Sequence, residues 1–404
     1  MPEAPQLPSP SPSPSSQRAK RPKNSPPEIA GDVEEEGGGG VDQQALLPGL
    51  PDHLSQQCLS LLPPSFLFSV CRSWRRLLYS PCFPPFLSLY ALLSHSNPSS
   101  FPSPDSKLDL DPIGFNAFDP ISATWTPLPP PPPDALLRRL LLRHPSFIAR
   151  NFPVQSVSAG DHLVVIAGTT DHLLPALSHP IAFHPSSGRW LLGPPFPSPR
   201  RWCVAGAASG AVYLASGVGS GYSTEIARSA ERWDLRRRGA AWEAVASLRD
   251  SKFSREAVEA VASNGKLCMV NLRGRGPKYG AVYDIESDRW EEMPTGLLAG
   301  WTGPAAADDE SGGPIFVADE ASGELRCYSW EADTWRVVIK SELLKGAAQM
   351  ACAGGKVCVA SSVGDAAIVV DVRRSLGKIW TVDPPLGMRI MALHILPRMS
   401  WAQS

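Results

Sequence analysis

Short apolar runs bounded by Gly, Asp and Ser recur from residue 86 onward: HLVVIAG, AVYLASG, KLCMVNL, PIFVAD and KVCVAS. Runs of this length between turn formers predict β-strands. They alternate with segments of small residues, WCVAGAA, GPAAAD and QMACAG. A third kind of segment pairs an aromatic residue with a tryptophan seven positions later. It reads FDPISATW at 118, FHPSSGRW at 183, YDIESDRW at 283 and YSWEADTW at 328. Only DALLRRLLLRH, at 134–144, interrupts this region with an amphipathic helical pattern.

The tryptophans that open strands are Trp125, Trp190, Trp242, Trp290, Trp335 and Trp380, at intervals of 65, 52, 48, 45 and 45 residues. A period of this size, with several strands per unit, is the signature of a β-propeller blade. Within a unit the small-residue strand comes first, then the apolar strand, then an aromatic-ended strand and the Trp strand. The seven-residue offset then has a cause. A hairpin between strands ending at Phe118 and beginning at Trp125 sets those residues opposite each other, on one face. Each blade thereby stacks two rings in the gap to its neighbour, a pair contributing up to ~1 kcal/mol beyond burial. Two units stretch the offset, to nine residues from Trp233 to Trp242 and ten from Val370 to Trp380. Small residues at 203–209, 303–307 and 347–354 suit innermost strands, which crowd around a central channel. The first unit lacks such a strand, and RIMALHILPR (389–398) supplies it, closing a ring of six blades without an open edge.

Residues 46–85 follow a helical period instead. Pro51 fits a first turn, and Leu54, Cys58, Leu61 and Leu62 fall on one face. Pro63 and Pro64 end that helix. Ser65 caps a second, whose apolar face is Leu67, Val70, Cys71, Trp74, Leu77 and Leu78, opposite Arg72, Arg75 and Arg76. Periodicity alone allows one continuous helix over 65–80. So short a segment cannot bury Leu54, Leu59, Val70, Trp74 and Leu77 by itself, so some of this surface needs a partner. Residues 1–45 carry LPSPSPSPSS, RAKRPK and EEEGGGG, with almost no large apolar side chain, and are expected to be a disordered tail. Its basic cluster, Arg18, Lys20, Arg21 and Lys23, reads as solvated charge or as a nuclear import signal.

LPGLPDHL followed by VCRSWRRLLYSPCF resembles an F-box, the segment that docks on the Skp-type adaptor of cullin–RING ubiquitin ligases. The Leu50-Pro51 opening and the Val70-Cys71-Arg72-x-Trp74 core match that family, which breaks the helix near Val70 or Cys71. The repeat units resemble kelch repeats, with the Gly-Gly doublet degenerate as AGT, ASG, VNL, ADE and ASS. Together they resemble plant-type F-box/kelch-repeat proteins over about residues 47–399. The resemblance implies a mainly β fold: a kelch-type six-bladed β-propeller (86–399), preceded by a small all-α F-box (46–85) and the disordered tail. It implies adaptor contacts from Leu50, Pro51, Leu54, Leu59, Val70, Cys71, Trp74 and Leu77. It also implies a role as substrate receptor of a Skp–cullin–F-box ligase, which holds a target near the charged conjugating enzyme by proximity rather than by catalysis. The alternative is a kelch scaffold outside any ligase, its helices only capping the propeller.

Composition narrows the chemistry. Prolines number 43, 27 of them before residue 134, about twice the usual ~5% and concentrated where tails and linkers are expected. A net charge of −1 excludes a strongly basic nucleic-acid binder. Eight scattered cysteines without a CxxC pair read as reduced thiols of a cytoplasmic or nuclear protein, and no apolar run suits a membrane span. No GxSxG, HExxH or Walker loop occurs; GVGSGYS (217–223) leads into no expected helix and reads as a loop. His184 and His394 fall on strands as ordinary packed or surface residues. No catalytic, cofactor or metal site is expected. Recognition remains, through loops that join second to third strands and through the starts of inner strands. The candidates there are Arg200, Arg201, Tyr222, Arg255, Arg273, Arg275 and Trp301, with Lys252, Lys278 and Tyr279 nearby. Arg273, Arg275 and Lys278 with Tyr279 suit an acidic or phosphorylated segment.

Overall fold

A computed structural model describes residues 45–95, 113–132, 154–170, 172–255, 257–273, 277–308, 312–373 and 377–400. The chain divides into two units, Met1–Gln44 and Ala45–Ser404. The first unit lies outside the described residues, and with it the expected tail and basic cluster. The helix expected at 134–144 lies outside them too.

Three short helices open the second unit: α1 (Asp52–Ser60), α2 (Pro64–Val70) and α3 (Arg72–Tyr79). Pro63, not Ser65, caps α2, because Pro64 occupies the first helical position, where a missing N–H costs nothing. Cys71 breaks the helix where the family resemblance implies a break, against the continuous helix that periodicity alone allows. Its φ of −153° and ψ of 170° are extended, so α3 leaves at a new angle. Leu59, Leu67, Leu77, Leu78 and Phe83 close a small core between the three.

The first blade takes β1 (Leu87–His95), β2 (Gly114–Asp119) and β3 (Thr124–Pro127). The second holds β4 (Val154–Ala159), β5 (His162–Gly168), β6 (Ile181–His184) and β7 (Arg189–Leu192). The third holds β8 (Val204–Ala208), β9 (Ala211–Ala215), then α4 (Thr224–Arg228), β10 (Ala230–Asp234) and β11 (Glu243–Val245). The fourth is β12 (Ala257–Ser263), β13 (Lys266–Arg273), β14 (Gly280–Asp284) and β15 (Arg289–Glu292), with α5 (Thr295–Gly300) following. The fifth is β16 (Ala305–Ala307), β17 (Ile315–Asp319), β18 (Glu324–Ser329) and β19 (Thr334–Lys340). The sixth is β20 (Ala347–Ala353), β21 (Lys356–Ser361), β22 (Ala367–Asp371) and β23 (Lys378–Val382). The last strand, β24 (Met388–Pro397), returns to the first blade and pairs with β1 from Leu87↔Pro397 to His95↔Met388. The result is a six-bladed propeller of four-stranded antiparallel sheets.

The aromatic–Trp spacing is the register of the outer hairpins. Phe118 lies opposite Trp125, Phe183 opposite Trp190, Tyr283 opposite Trp290 and Tyr328 opposite Trp335. Their ring centroids are 5.1–5.2 Å apart, and those of Trp233 and Trp242 are 5.9 Å apart. In the four regular turns the fifth residue after the aromatic has positive φ: Ala123, Gly188, Asp288 and Asp333. That residue completes a four-residue hairpin turn and fixes the offset at seven. In the sixth blade the partner of Trp380 is Val369 rather than Val370, because the enlarged loop keeps Val370 opposite Ile379.

Each of these rings also reaches the preceding blade. The indole N–H of Trp125 donates to Asp383 O (2.7 Å), Trp190 to Pro129 O (2.7 Å) and Trp242 to Pro194 O (3.3 Å). Trp290 donates to Ala246 O (2.6 Å) and Trp335 to Gly296 O (3.0 Å). All five acceptors lie just past the outer strand of the blade before. In the fourth and fifth blades the turn aspartate completes a clasp. Asp288 accepts from Ala246 N and from the Tyr283 hydroxyl; Asp333 accepts from Gly296 N, Leu297 N and the Tyr328 hydroxyl. In the sixth blade Trp380 instead lies 5.4 and 5.8 Å from the Lys356 and Lys378 ammonium groups.

Replacing Trp290 by Phe keeps one packed six-membered ring and removes the donor with the rest of the indole. It should cost about 1–3 kcal/mol through the orphaned carbonyl, whereas Trp290→Ala should cost about 3–5 kcal/mol. Urea unfolding of both variants checks the ordering; a Phe variant as stable as the wild type would mean that the hydrogen bond contributes nothing.

Candidate functional site

Antiparallel order gives the propeller two distinct ends. The turns joining first to second and third to fourth strands share one end. The loops joining second to third strands, and the connections between blades, share the other. The three N-terminal helices meet the first end: Leu87 starts β1 there, and the β2–β3 turn at 119–124 lies beside α3.

The surface of these helices and of the segment leading into them holds exposed apolar side chains. Leu50 and Leu54 are each 40% exposed, Val70 48%, Phe66 53% and Leu61 86%. Pro51 and Cys71 are also exposed. Leu59 and Leu77, expected in the same surface, are instead buried in the three-helix core, because each faces inward from its helix. Trp74 is half-buried against that core and donates its indole N–H to Leu46 O at 2.9 Å.

A polar joint fixes the helices to the first blade. The Tyr79 hydroxyl donates to Asp119 Oδ2, which also accepts from Ser122 Oγ at 2.9 Å. Burial raises the Tyr79 pKa, and the Asp119 hydrogen bond and charge add to the shift, so the phenol stays neutral. Arg398, one residue past β24 and 4% exposed, donates to the carbonyls of Ser80 (2.7 Å), Tyr79 (3.4 Å) and Phe83 (3.4 Å). A cation at the last carbonyls of α3 satisfies orphan acceptors and the negative end of the helix dipole.

The opposite end holds the sequence candidates for target binding, and the structure treats them differently. Arg200 is buried. It pairs with Glu231 at 2.7 Å and donates to Ser216 O and Ser229 Oγ, so it serves the interior of the third blade. Arg201 is 9% exposed, donates to Gly219 O at 2.7 Å and lies 4.6 Å from the Trp202 ring. Trp202 has a φ of +52°, rare for a bulky residue. Tyr222 is 47% exposed, its hydroxyl 3.2 Å from Ser251 Oγ. Arg275 and the side chains of Arg255 and Arg273 lie outside the described residues. Trp301 overturns its expected exposure: it is fully buried. The cause is α5, which folds Trp301 between the fourth and fifth blades, against Val261, Cys268, Ile315 and Tyr328. GVGSGYS does lead into a helix, α4, but it is one short turn capped by Ser223 Oγ on Ile226 N.

Inner strands line the central channel, a cavity of about 280 Å³. Gln155 and Gln349 project there from equivalent positions in the second and sixth blades. Gln349 bridges both backbone groups of Leu393, accepting from its N–H (2.8 Å) and donating to its carbonyl (3.0 Å). Gln155 makes the same bridge to Cys203. His394 lies between Ser156 Oγ (2.8 Å) and Ser158 Oγ (3.1 Å), tying β24 to β4. Burial lowers its pKa to about 3, so the ring is neutral. His184, by contrast, stacks on His162 at 4.7 Å near the propeller rim.

The F-box/kelch-repeat protein SKIP25 of Arabidopsis thaliana is 46% identical over 89% of this chain and 92% of its own length. The chain belongs to the F-box/kelch-repeat proteins. A second Arabidopsis F-box/kelch-repeat protein is 27% identical over 73% of the chain and 71% of its own length. The F-box protein AFR, from the same plant, is 26% identical over 64% of the chain. No protein-family model matches.

In this F-box/kelch-repeat chain, the residues that sequence reasoning missed are those of the joints. Gln155 and Gln349 had a signal, a lone amide at the same place in two small-residue strands. Arg398 and Tyr79 had none, since they lie 319 residues apart and Tyr79 meets Asp119 across 40.

Because Trp301 fills an inter-blade core, Trp301→Ala should cost about 3–5 kcal/mol of stability. Thermal unfolding beside the Trp290 variants tests this, and an unaltered melting temperature would return Trp301 to the candidate binding residues. His394 sets a pH dependence with a definite sign. Its folded pKa lies below its unfolded value, so only the unfolded chain takes up the proton as pH falls from ~6.5 towards 3. Stability should fall by up to about 1.4 kcal/mol per pH unit in that window. His394→Gln should show a shallower fall between pH 6 and 4 in urea unfolding, and an identical slope would refute the assignment.

Proposed function

We propose that this chain is the target-recognition subunit of a Skp–cullin–F-box ubiquitin ligase and has no catalytic site of its own. The observation that carries the reading is the exposed apolar surface of Leu50, Leu54, Leu61, Phe66 and Val70 on helices whose own core is already closed. Apolar surface left over after a core is complete marks an interaction site, and an F-box takes a Skp-type adaptor. Pro51 and Cys71 lie on the same exposed segment. Trp74 supports it from behind, through Leu46.

The joint of Tyr79, Asp119 and Arg398 makes the two parts one lever. A target held at the far end of the propeller stands at a fixed distance from the adaptor, and proximity to the charged conjugating enzyme supplies the rate. Among the described residues no helix is long and apolar enough to cross a membrane.

Leu54→Asp combined with Val70→Asp should abolish co-purification with the Skp-type adaptor, because each places a charge in a surface that must be desolvated. The propeller should keep its melting temperature, since neither side chain belongs to a core. Adaptor recovered equally with the wild type and the double variant would overturn the ligase reading.

A further inference from the structure

The loops at the end of the propeller away from the F-box form a continuous ridge over the third and fourth blades. Arg201 Nη1 bonds Gly219 O, joining the start of β8 to the β9–β10 connection. Tyr222 then meets Ser251 at 3.2 Å, and Arg228 Nε donates to Leu248 O at 3.0 Å, joining that connection to the segment before β12. Lys252 lies 5.7 Å from the Tyr279 ring, and Phe253 packs on Tyr279 with centroids 4.8 Å apart. Lys278 reaches Ala299 O at 3.5 Å, carrying the ridge to α5.

The charges on this ridge are unbalanced. Once Arg200 is neutralised by Glu231, the described connections at 193–203, 216–229, 246–255, 277–279 and 293–302 hold Arg201, Arg228, Arg249, Lys252 and Lys278. The acids among them are Glu225 and Asp250. Arg201, Arg228 and Lys278 donate to backbone carbonyls rather than to carboxylates, whereas exposed Lys252 pairs with Asp250 at 3.0 Å and Arg249 with Glu292 at 3.9 Å. On the same end, the connections of the fifth and sixth blades have the opposite sign. Residues 320–323, 341–346, 361–366 and 383–387 carry Glu320, Glu342, Asp365 and Asp383 against Lys345 alone. Exposed Leu343 and Val363 lie on that acidic half. In a chain with net charge −1, this separation makes one half of the face attract anions and the other repel them.

We infer that the ridge over the third and fourth blades captures an acidic, carboxylate-rich segment of the target protein. The inference rests on the propeller being a target receptor. Arg228, Lys252 and Lys278 supply the charges that meet the segment, and Tyr222 supplies an exposed ring beside them. Buried Arg201 contributes field rather than contact. The acidic half orients the segment by excluding it from the fifth and sixth blades.

The test uses the full-length chain and a fluorescent oligoglutamate peptide, with oligolysine, neutral Gly-Ser and phosphoserine peptides of equal length beside it. Oligoglutamate should bind best, and binding should weaken as salt screens it. Arg228→Glu with Lys252→Glu and Lys278→Glu should weaken binding about tenfold or more, while Glu342→Lys with Asp365→Lys should not weaken it. Adaptor co-purification and melting temperature, measured on the same variants, show that the molecule is intact. Oligoglutamate binding no tighter than Gly-Ser, or unchanged by the triple reversal, overturns the inference. Tighter binding of the phosphoserine peptide through the same residues overturns the carboxylate assignment. Failure of the wild type to hold adaptor counts against the ligase reading and leaves the peptide result standing.

Discussion

The hydrogen bond from the outer-strand indole to the chain leaving the previous blade, made in five of the six blades, is the interaction on which the ring depends. Within a blade, antiparallel ladders satisfy the backbone. Between blades there is no ladder, and the connecting segments would leave carbonyls such as Ala246 O and Pro129 O short of donors. Apolar packing holds neighbouring sheets together but is non-directional, so it does not fix their rotation. The indole supplies both parts at once: a large ring for the gap and one donor for a single carbonyl. In the fourth and fifth blades, a turn aspartate adds a second anchor by accepting from the N–H of the same residue.

The same logic of closing a gap with one polar contact recurs nearer the axis. Gln155 and Gln349 each bridge both backbone groups of a residue in the next blade, and His394 spans the seam where β24 meets β4. The ring is thus stitched at two radii. A stitched ring makes a stiff platform, and stiffness matters for a molecule read as a lever between adaptor and target. Its two ends differ in character: apolar and helical at one, charged and loop-built at the other.

The repeat was plain in the sequence because it depends on local rules. The offset between Phe118 and Trp125 is fixed by a four-residue turn, and the Ala-rich runs by the crowding of inner strands. The F-box was legible as a pattern, but the helix break at Cys71 was beyond what periodicity alone could decide. The failures share one cause. Arg200 and Arg201 sit beside a Pro-rich loop and look exposed, yet Arg200 finds Glu231 across the blade. Trp301 follows a Gly-rich stretch that reads as loop, yet α5 carries it into the inter-blade core. Leu59 and Leu77 could not be told from Leu54 and Val70 until the three helices were packed. Partners distant in sequence, with no repeat between them, leave no trace in spacing.

Arg398 also imposes an order on synthesis. The F-box leaves the ribosome first, but the residue that caps its last helix comes more than three hundred positions later. At ~5–20 residues per second the interval is on the order of tens of seconds. During that time α3 lacks its capping cation and the first blade its inner strand. A nascent or prematurely terminated chain therefore exposes an F-box held by the Tyr79–Asp119 contact without the Arg398 half of the joint. Only the finished ring supplies Arg398, so the joint that orients the helices is complete only when the chain is.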